Sequence, residues 1–408
     1  MTSLPGRVAV TLAVALSLVG CGEGPTPIPE GPFAPGISGG ALAGRVEVIV
    51  IDEETRELLP QATIAIGGAD ATALVTREDA PGFAVIEDAR VAGAIWVRIA
   101  TGGPWEGVTP WVGVAGDRVV VAVPRRAGRA IDGRVAGADT LGAADVLAGP
   151  LETPRFTSFG ALDRAAPSAC TLAADGSCRF TAVASESASR AVATVRDASG
   201  APIAFGLGPL APGGTADISL LDPSMRVPVV ELSLGASLPT PPAGLDAVVG
   251  VPGLATAEGI GLLPQTAGAD GSLGVPELSG PLADASWWVL LEARSADGAA
   301  RSVVVQRGIR DPEGVRELPP FLAPPEVSVV GDEVQIGEVA GASLFVVECA
   351  GASTMLVLDP AATAPDLGAC AGLLRVRAID APGASGAALD LDAVERGAHR
   401  FSETALEP

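Results

Sequence analysis

The sequence predicts an all-β protein, a string of β-sandwich segments. Short runs rich in valine and isoleucine, such as "RVEVIVID", "AIWVRIA" and "RVVVAV", are each bounded by glycine, proline or aspartate, the punctuation of strands and turns. No long stretch places apolar residues at the helical period of 3.6. A chain of 408 residues with 52 glycines and 35 prolines fits several domains of ~100 residues better than one core.

Composition bounds what these segments can be. The chain is 48% hydrophobic but only 3% aromatic, with no tyrosine, so its cores are built from small aliphatic side chains. Lysine is absent and all 26 basic residues are arginine. The formal charge of −22 repels nucleic acid and anionic lipid surfaces, and neither is expected as a partner.

The first element is a leader. Arg7 and the initial amine precede Val8 to Val19, apolar apart from Thr11 and Ser17, in the layout of a secretory signal. Twelve helical residues reach about 18 Å, short of a ~30 Å hydrocarbon core. A spanning anchor is therefore disfavoured. Leu18-Val19-Gly20-Cys21 resembles the lipobox of bacterial lipoproteins. That resemblance implies that residues 1–20 are a signal peptide and that the Cys21 thiol is diacylated and becomes the mature N-terminus. It also implies a lipid partner, each buried methylene adding ~0.8 kcal/mol. Gly22 resembles the sorting pattern of lipoproteins delivered to the outer membrane. The plainer alternative is an ordinary signal peptide followed by an incidental cysteine.

Residues 21–43 come next, with Pro25, Pro27, Pro29, Pro32 and Pro35 among many glycines. They lack the apolar periodicity of a core and read as a flexible tether.

Segment 44–125 opens on "GRVEVIVIDEETRELLPQATIAIGG", where Val46, Val48 and Val50 alternate with Glu47, Ile49 and Ile51. "GFAVIEDA", "AIWVRIATG" and "RVVVAVPRR" follow. This order of strand, acidic turn and further strands resembles the carboxypeptidase regulatory-like domain, a transthyretin-like seven-stranded sandwich. Related surface-protein sandwiches form an internal isopeptide bond through a lysine, which this chain cannot do. Segment 126–224 begins "IDGRVAG", an echo of "LAGRVEV", and continues through "DGSCRFTAVA" and "RAVATVRDASGAPIAFG". Segment 225–318 includes "WWVLLEARSADGAARSVVVQRG", which reads as two strands turning at Asp297-Gly298. Trp287 and Trp288, adjacent on a strand, face opposite sides.

Residues 319–325 are a proline-rich linker, because prolines break any ladder. Beyond it, segment 326–408 carries "GASLFVVE" and "LLRVRAID" in an order that resembles a fibronectin type III-like, immunoglobulin-like sandwich. Leu374, Val376 and Ala378 share one face of the second strand, and Arg375 and Arg377 share the other.

With Cys21 acylated, Cys170, Cys178, Cys349 and Cys370 remain, an even number in an oxidising compartment. Three pairings are open to them. Nearness in sequence favours Cys170–Cys178 and Cys349–Cys370, closing loops worth ~2.5 and ~3.5 kcal/mol. A two-residue Asp175-Gly176 turn would put Cys170 opposite Thr181, so its bridge to Cys178 needs a wider loop centred near Ala174.

No catalytic constellation is expected. Gly36-Ile37-Ser38-Gly39-Gly40 matches G-x-S-x-G but lies in the tether, without the strand-to-helix elbow that strains the serine. His399, the one histidine, reads as an exposed polar residue. Among 48 acidic residues no pair stands out for general acid and base work. Asp52-Glu53-Glu54 could attract calcium but lacks the spacing of a dedicated loop, so neither metal nor cofactor is assigned.

Trp105 and Trp111, in "GGPWEGVTPWVGV", where glycines and prolines predict loops, are the binding candidates, since an indole stacks on a sugar face or a proline ring. Core packing is their other reading. The function these features predict is a non-catalytic, lipid-anchored outer-membrane protein, periplasmic or surface-exposed, that binds, adheres or scaffolds. A carbohydrate or an envelope protein is the expected partner. The alternative is a carbohydrate-active or other hydrolytic protein with accessory sandwiches.

Overall fold

The computed structural model describes residues 33–406 except 69–71, 106, 126–127, 154, 156, 158–164, 235–237, 266–271, 313–317, 331–332, 350–352 and 360–371. The signal peptide, Cys21 and Cys370 lie outside the described residues.

Strands dominate, as the period-two runs require. Segment 44–125 and the residues just before it supply β1 (Gly36–Ala41), β2 (Ala43–Asp52), β3 (Ala62–Gly67), β4 (Ala73–Ala80), β5 (Phe83–Ala92), β6 (Ile95–Thr101), β7 (Gly107–Val114) and β8 (Gly116–Val123). The second segment supplies β9 (Arg129–Ala136), β10 (Asp145–Pro150), β11 (Ser168–Leu172), β12 (Cys178–Ala184), β13 (Arg190–Arg196), β14 (Pro202–Pro209) and β15 (Thr215–Ser219). The third contributes β16 (Arg226–Val227), β17 (Val229–Ser233), β18 (Ala247–Thr256), β19 (Gly259–Leu262), β20 (Ser272–Pro276), β21 (Ser286–Arg294) and β22 (Ala300–Ile309). The last holds β23 (Val327–Val330), β24 (Glu333–Ile336), β25 (Leu344–Cys349), β26 (Ser353–Val357), β27 (Leu374–Ile379), β28 (Leu389–Asp390), the helix α1 (Leu391–Gly397) and β29 (Arg400–Leu406).

The sandwiches are joined in a way no local pattern displayed. One 12-stranded sheet runs β19-β18-β21-β22-β29-β27-β25-β26-β7-β6-β3-β4. Its central four strands come from the C-terminal segment. On one side β22 pairs antiparallel with β29, and on the other β26 pairs parallel with β7, Leu356 opposite Trp111. One face of the sheet carries Ile64, Val97, Trp111, Leu356, Val346, Val303 and Leu290 in a single apolar layer. A second sheet, ordered β28-β1-β8-β2-β5, buries Val46, Val48, Val50, Val119 and Ile86 in that same layer. The opposite face packs under the β17–β20 pair at one end and the β23–β24 hairpin at the other.

Individual elements follow their sequence. Trp287 lies in the layer under β17–β20, while Trp288 packs toward the opposite layer, as adjacent strand positions must. The β21–β22 hairpin turns at Asp297-Gly298, with Gly298 at φ 74° and the amide of Ser295 donating to the Ala300 carbonyl. The seven strands of the second segment and β16 of the third form an eight-stranded sheet, β15-β9-β12-β11-β10-β13-β14-β16, over a separate core. Gly133, paired with Phe180, has no room for a side chain: a Cβ there would sit 2.0 Å from the phenyl ring. The outer face of that sheet, through Val192, Phe205 and Leu207, packs on Leu254, Leu263 and Leu282 of the third segment.

Cys170 and Cys178 are disulfide-bonded, with Cα atoms 5.5 Å apart. Leu172 pairs with Cys178, so the loop spans residues 173–177 and is wider than a two-residue turn. Its centre is Asp175, one residue beyond the expected Ala174. The Asp175 carboxylate sets it by accepting from the amide and hydroxyl of Ser177. Cys349, at the end of β25, is also disulfide-bonded.

Residues 33–43, read from sequence as the end of the tether, belong to the fold. β1 pairs with β8 and β28, and Ile37 is 2% exposed in the core. Alternation was hidden in β1 because Ile37 is its one large apolar residue, among glycines. The G-x-S-x-G serine, Ser38, thus lies exposed on a strand that leads into β2 rather than into a helix. Arg377, on the arginine face of β27, is fully buried.

Candidate functional site

The best-organised candidate site lies where β2 ends. The parallel pairing of β2 with β8 sets Asp52 beside Val123, so Arg125, two residues past the strand, reaches the Asp52 carboxylate. Arg125 Nε donates to Asp52 Oδ2 at 2.9 Å and Trp105 Nε1 donates to the same oxygen at 2.7 Å. The amides of Glu54 and Thr55 donate to Oδ1 at 2.8 and 2.9 Å. Burial by itself pushes the Asp52 carboxyl up. The donors from Thr55, Arg125, Trp105 and Glu54 outweigh it and hold the group below the usual carboxylate range.

This carboxylate fixes the tryptophan. Trp105 ends the turn Gly103–Trp105 between β6 and β7, which Gly103 enters at φ 65°. The Thr101 hydroxyl donates to the Trp105 carbonyl, and the Arg125 guanidinium lies 5.5 Å from the ring centre. The indole is partly buried, packed against the main core on one side. On the other it borders an open groove of about 510 Å³, walled by Pro60, Gln61, Thr63, Asp79, Thr101 and the turn itself.

The far wall of the groove is a β-bulge. Ala62 pairs with Ala80 and Ile64 with Arg77, so Thr63 opposes both Glu78 and Asp79. Asp79 takes up the extra residue at φ 54°, a left-handed conformation that aspartate tolerates. Its side chain thereby meets Gln61, whose Nε2 donates to Asp79 Oδ1. Sequence reasoning missed both residues. The only available signal was the break in alternation at "TREDAPG".

The other residues singled out from sequence have different places. Trp111 lies not in a loop but on β7, opposite Leu356 and 2% exposed in the core. The two tryptophans therefore do not form one surface. The Asp52-Glu53-Glu54 cluster is divided: Asp52 is engaged as above, and Glu53 pairs with Arg155 at 3.1 Å. Among the described residues no three histidine, cysteine or carboxylate side chains converge as metal ligands would. His399 is exposed, and its main-chain carbonyl accepts from Val305. A second groove, about 530 Å³ between β1, α1 and residues 381–390, is lined almost wholly by alanine, glycine, proline and aliphatic residues. It offers little to orient a polar ligand.

No family model matches the chain, and no curated protein matches its sequence. Among solved structures it is similar to a shaft pilin from Lactobacillus rhamnosus GG, at 11% identity over 44% of this chain and 97% of that one, TM-score 0.17. It is also similar to the major pilin subunit of Bacillus cereus, at 10% identity over 62% and 90%, TM-score 0.18. A third match is to streptococcal family 41 carbohydrate-binding modules that recognise α-glucan, at 10% identity over 44% and 95%, TM-score 0.15. Scores this low place the chain in none of these groups. What is established is an all-β protein of joined sandwiches with an immobilised tryptophan at the edge of an open groove.

Proposed function

We propose that this chain is a non-catalytic, membrane-anchored lipoprotein that binds, adheres or scaffolds at the bacterial outer membrane, in the periplasm or at the surface. The observation that carries the binding role is the Trp105 corner. A large aromatic group held by Asp52 and Arg125 loses little freedom when a partner docks beside it, so the ordering cost of binding is already met in the fold. The anchor rests on the sequence: the lipobox-like Leu18–Cys21 and the proline- and glycine-rich stretch after it.

The test is the mass of the mature N-terminal peptide from membrane fractions, beside protease access on intact cells and binding to envelope material. Acylated Cys21 together with a partner retained unaltered is the expected result. An unmodified terminus overturns the anchor, and turnover of the bound partner overturns the non-catalytic reading.

A further inference from the structure

We infer that the groove between the Asp79 bulge and Trp105 is a binding site for a neutral saccharide, an inference that rests on the binding role proposed above. The indole borders the groove and supplies apolar surface against which the C–H face of a sugar ring can pack. Across from it, the Gln61–Asp79 pair engages one carboxylate oxygen and one amide hydrogen. That leaves Asp79 Oδ2 and Gln61 Oε1 as acceptors and the second amide hydrogen as a donor. Acceptors beside a donor at the mouth of a groove match adjacent hydroxyl groups, each of which both donates and accepts.

Two further features fix the class. A Cβ at Gly102 or Gly103 would meet nothing within 4 Å, so the turn carrying Trp105 is open to a ligand lying along it. The net charge of −22, with Asp79 itself in the wall, disfavours sulfated or uronate polymers. A proline-rich peptide could stack on the same indole, but its rings carry no donor, and docking would cover Asp79 Oδ2 without supplying one, which is costly. The volume of about 510 Å³ lies within the range of small-molecule sites.

Full-length protein is titrated by calorimetry with neutral glucans, mannans and galactans, with heparin, and with a polyproline peptide. At least one neutral glycan is expected to bind and heparin is not. Asp79→Gly still accepts the left-handed backbone and removes the side chain with its carboxylate, and Gln61→Ala removes the amide; each is expected to weaken binding about tenfold. Trp105→Ala is expected to abolish it and Trp105→Phe to restore part. Glycan binding that ignores Asp79→Gly and Gln61→Ala overturns this site and leaves the binding role standing. Binding of polyproline alone, lost in Trp105→Ala, overturns the saccharide but keeps the corner. No binding to any of these probes overturns the saccharide inference. If no envelope material is retained either, the binding role falls with it.

Discussion

Glu403→Gln tests how the joined sheet is held. Glu403 Oε2 accepts from Arg377 Nε at 3.1 Å, Arg377 Nη2 at 2.9 Å and Arg301 Nη2 at 3.0 Å. Arg301 Nη1 also reaches Glu292 Oε1 at 3.3 Å, and the Arg377 guanidinium lies 4.8 Å from the Phe401 ring centre. The network lies where β22, β29 and β27 meet, the joint between the third and last segments. Arg377 is fully buried and Arg301 is 29% exposed, so loss of the Glu403 charge removes the carboxylate that faces a cation water cannot reach. Breaking a buried pair from one side costs about 3–5 kcal/mol. With a urea slope of about 3 kcal/mol per molar, the unfolding midpoint falls by roughly 1–1.7 M, read by tryptophan fluorescence at pH 7. The double variant Arg377→Met with Glu403→Gln removes the buried cation together with its carboxylate and should recover part of that loss. A Glu403→Gln cost under about 1 kcal/mol, or a double variant whose cost is the sum of the singles, would refute the reasoning.

Three further outcomes are expected. Burial alone raises the Glu403 carboxyl, but the Arg377 and Arg301 charges and hydrogen bonds outweigh it and leave the native value lowered. Its stabilisation is therefore complete above the ordinary glutamate range of ~4.3 and is lost as pH falls through the lower native value. Urea midpoints of the parent and Glu403→Gln should converge there and remain apart at pH 7. Replacing both Cys170 and Cys178 by alanine reopens a loop of sequence separation 8 and should cost about 2.5 kcal/mol in the chain-entropy account, seen as a lower denaturation midpoint. Asp52→Ala leaves the Trp105 and Arg125 donors without their acceptor and should cost about 1–3 kcal/mol, with greater acrylamide quenching of indole fluorescence; unchanged quenching would show that Asp52 does not hold the ring.

The sequence by itself determined what is local. Period-two alternation found the strands, Asp297-Gly298 found its hairpin, and nearness along the chain found the Cys170–Cys178 bridge, because each depends on residues a few positions apart. It also placed Trp287 and Trp288 on opposite faces, and Trp105 in a turn. Only the tertiary structure decided which strands are neighbours. A ladder is made of backbone N–H and C=O groups common to every residue, so nothing in "STMLV" or "RFSETAL" says that β26 will lie beside β7 or β29 beside β22. That pairing decided the rest. It buried Trp111 under Leu356 and turned the arginine face of β27 into a buried ion network. In the second sheet, strand pairing drew the glycine-rich β1 into the fold against β8. The candidate groove divides in the same way: its tryptophan was legible in a glycine- and proline-broken loop. Asp79 and Gln61 were not, because a bulge is a mismatch between two strands and has no meaning in one strand read alone.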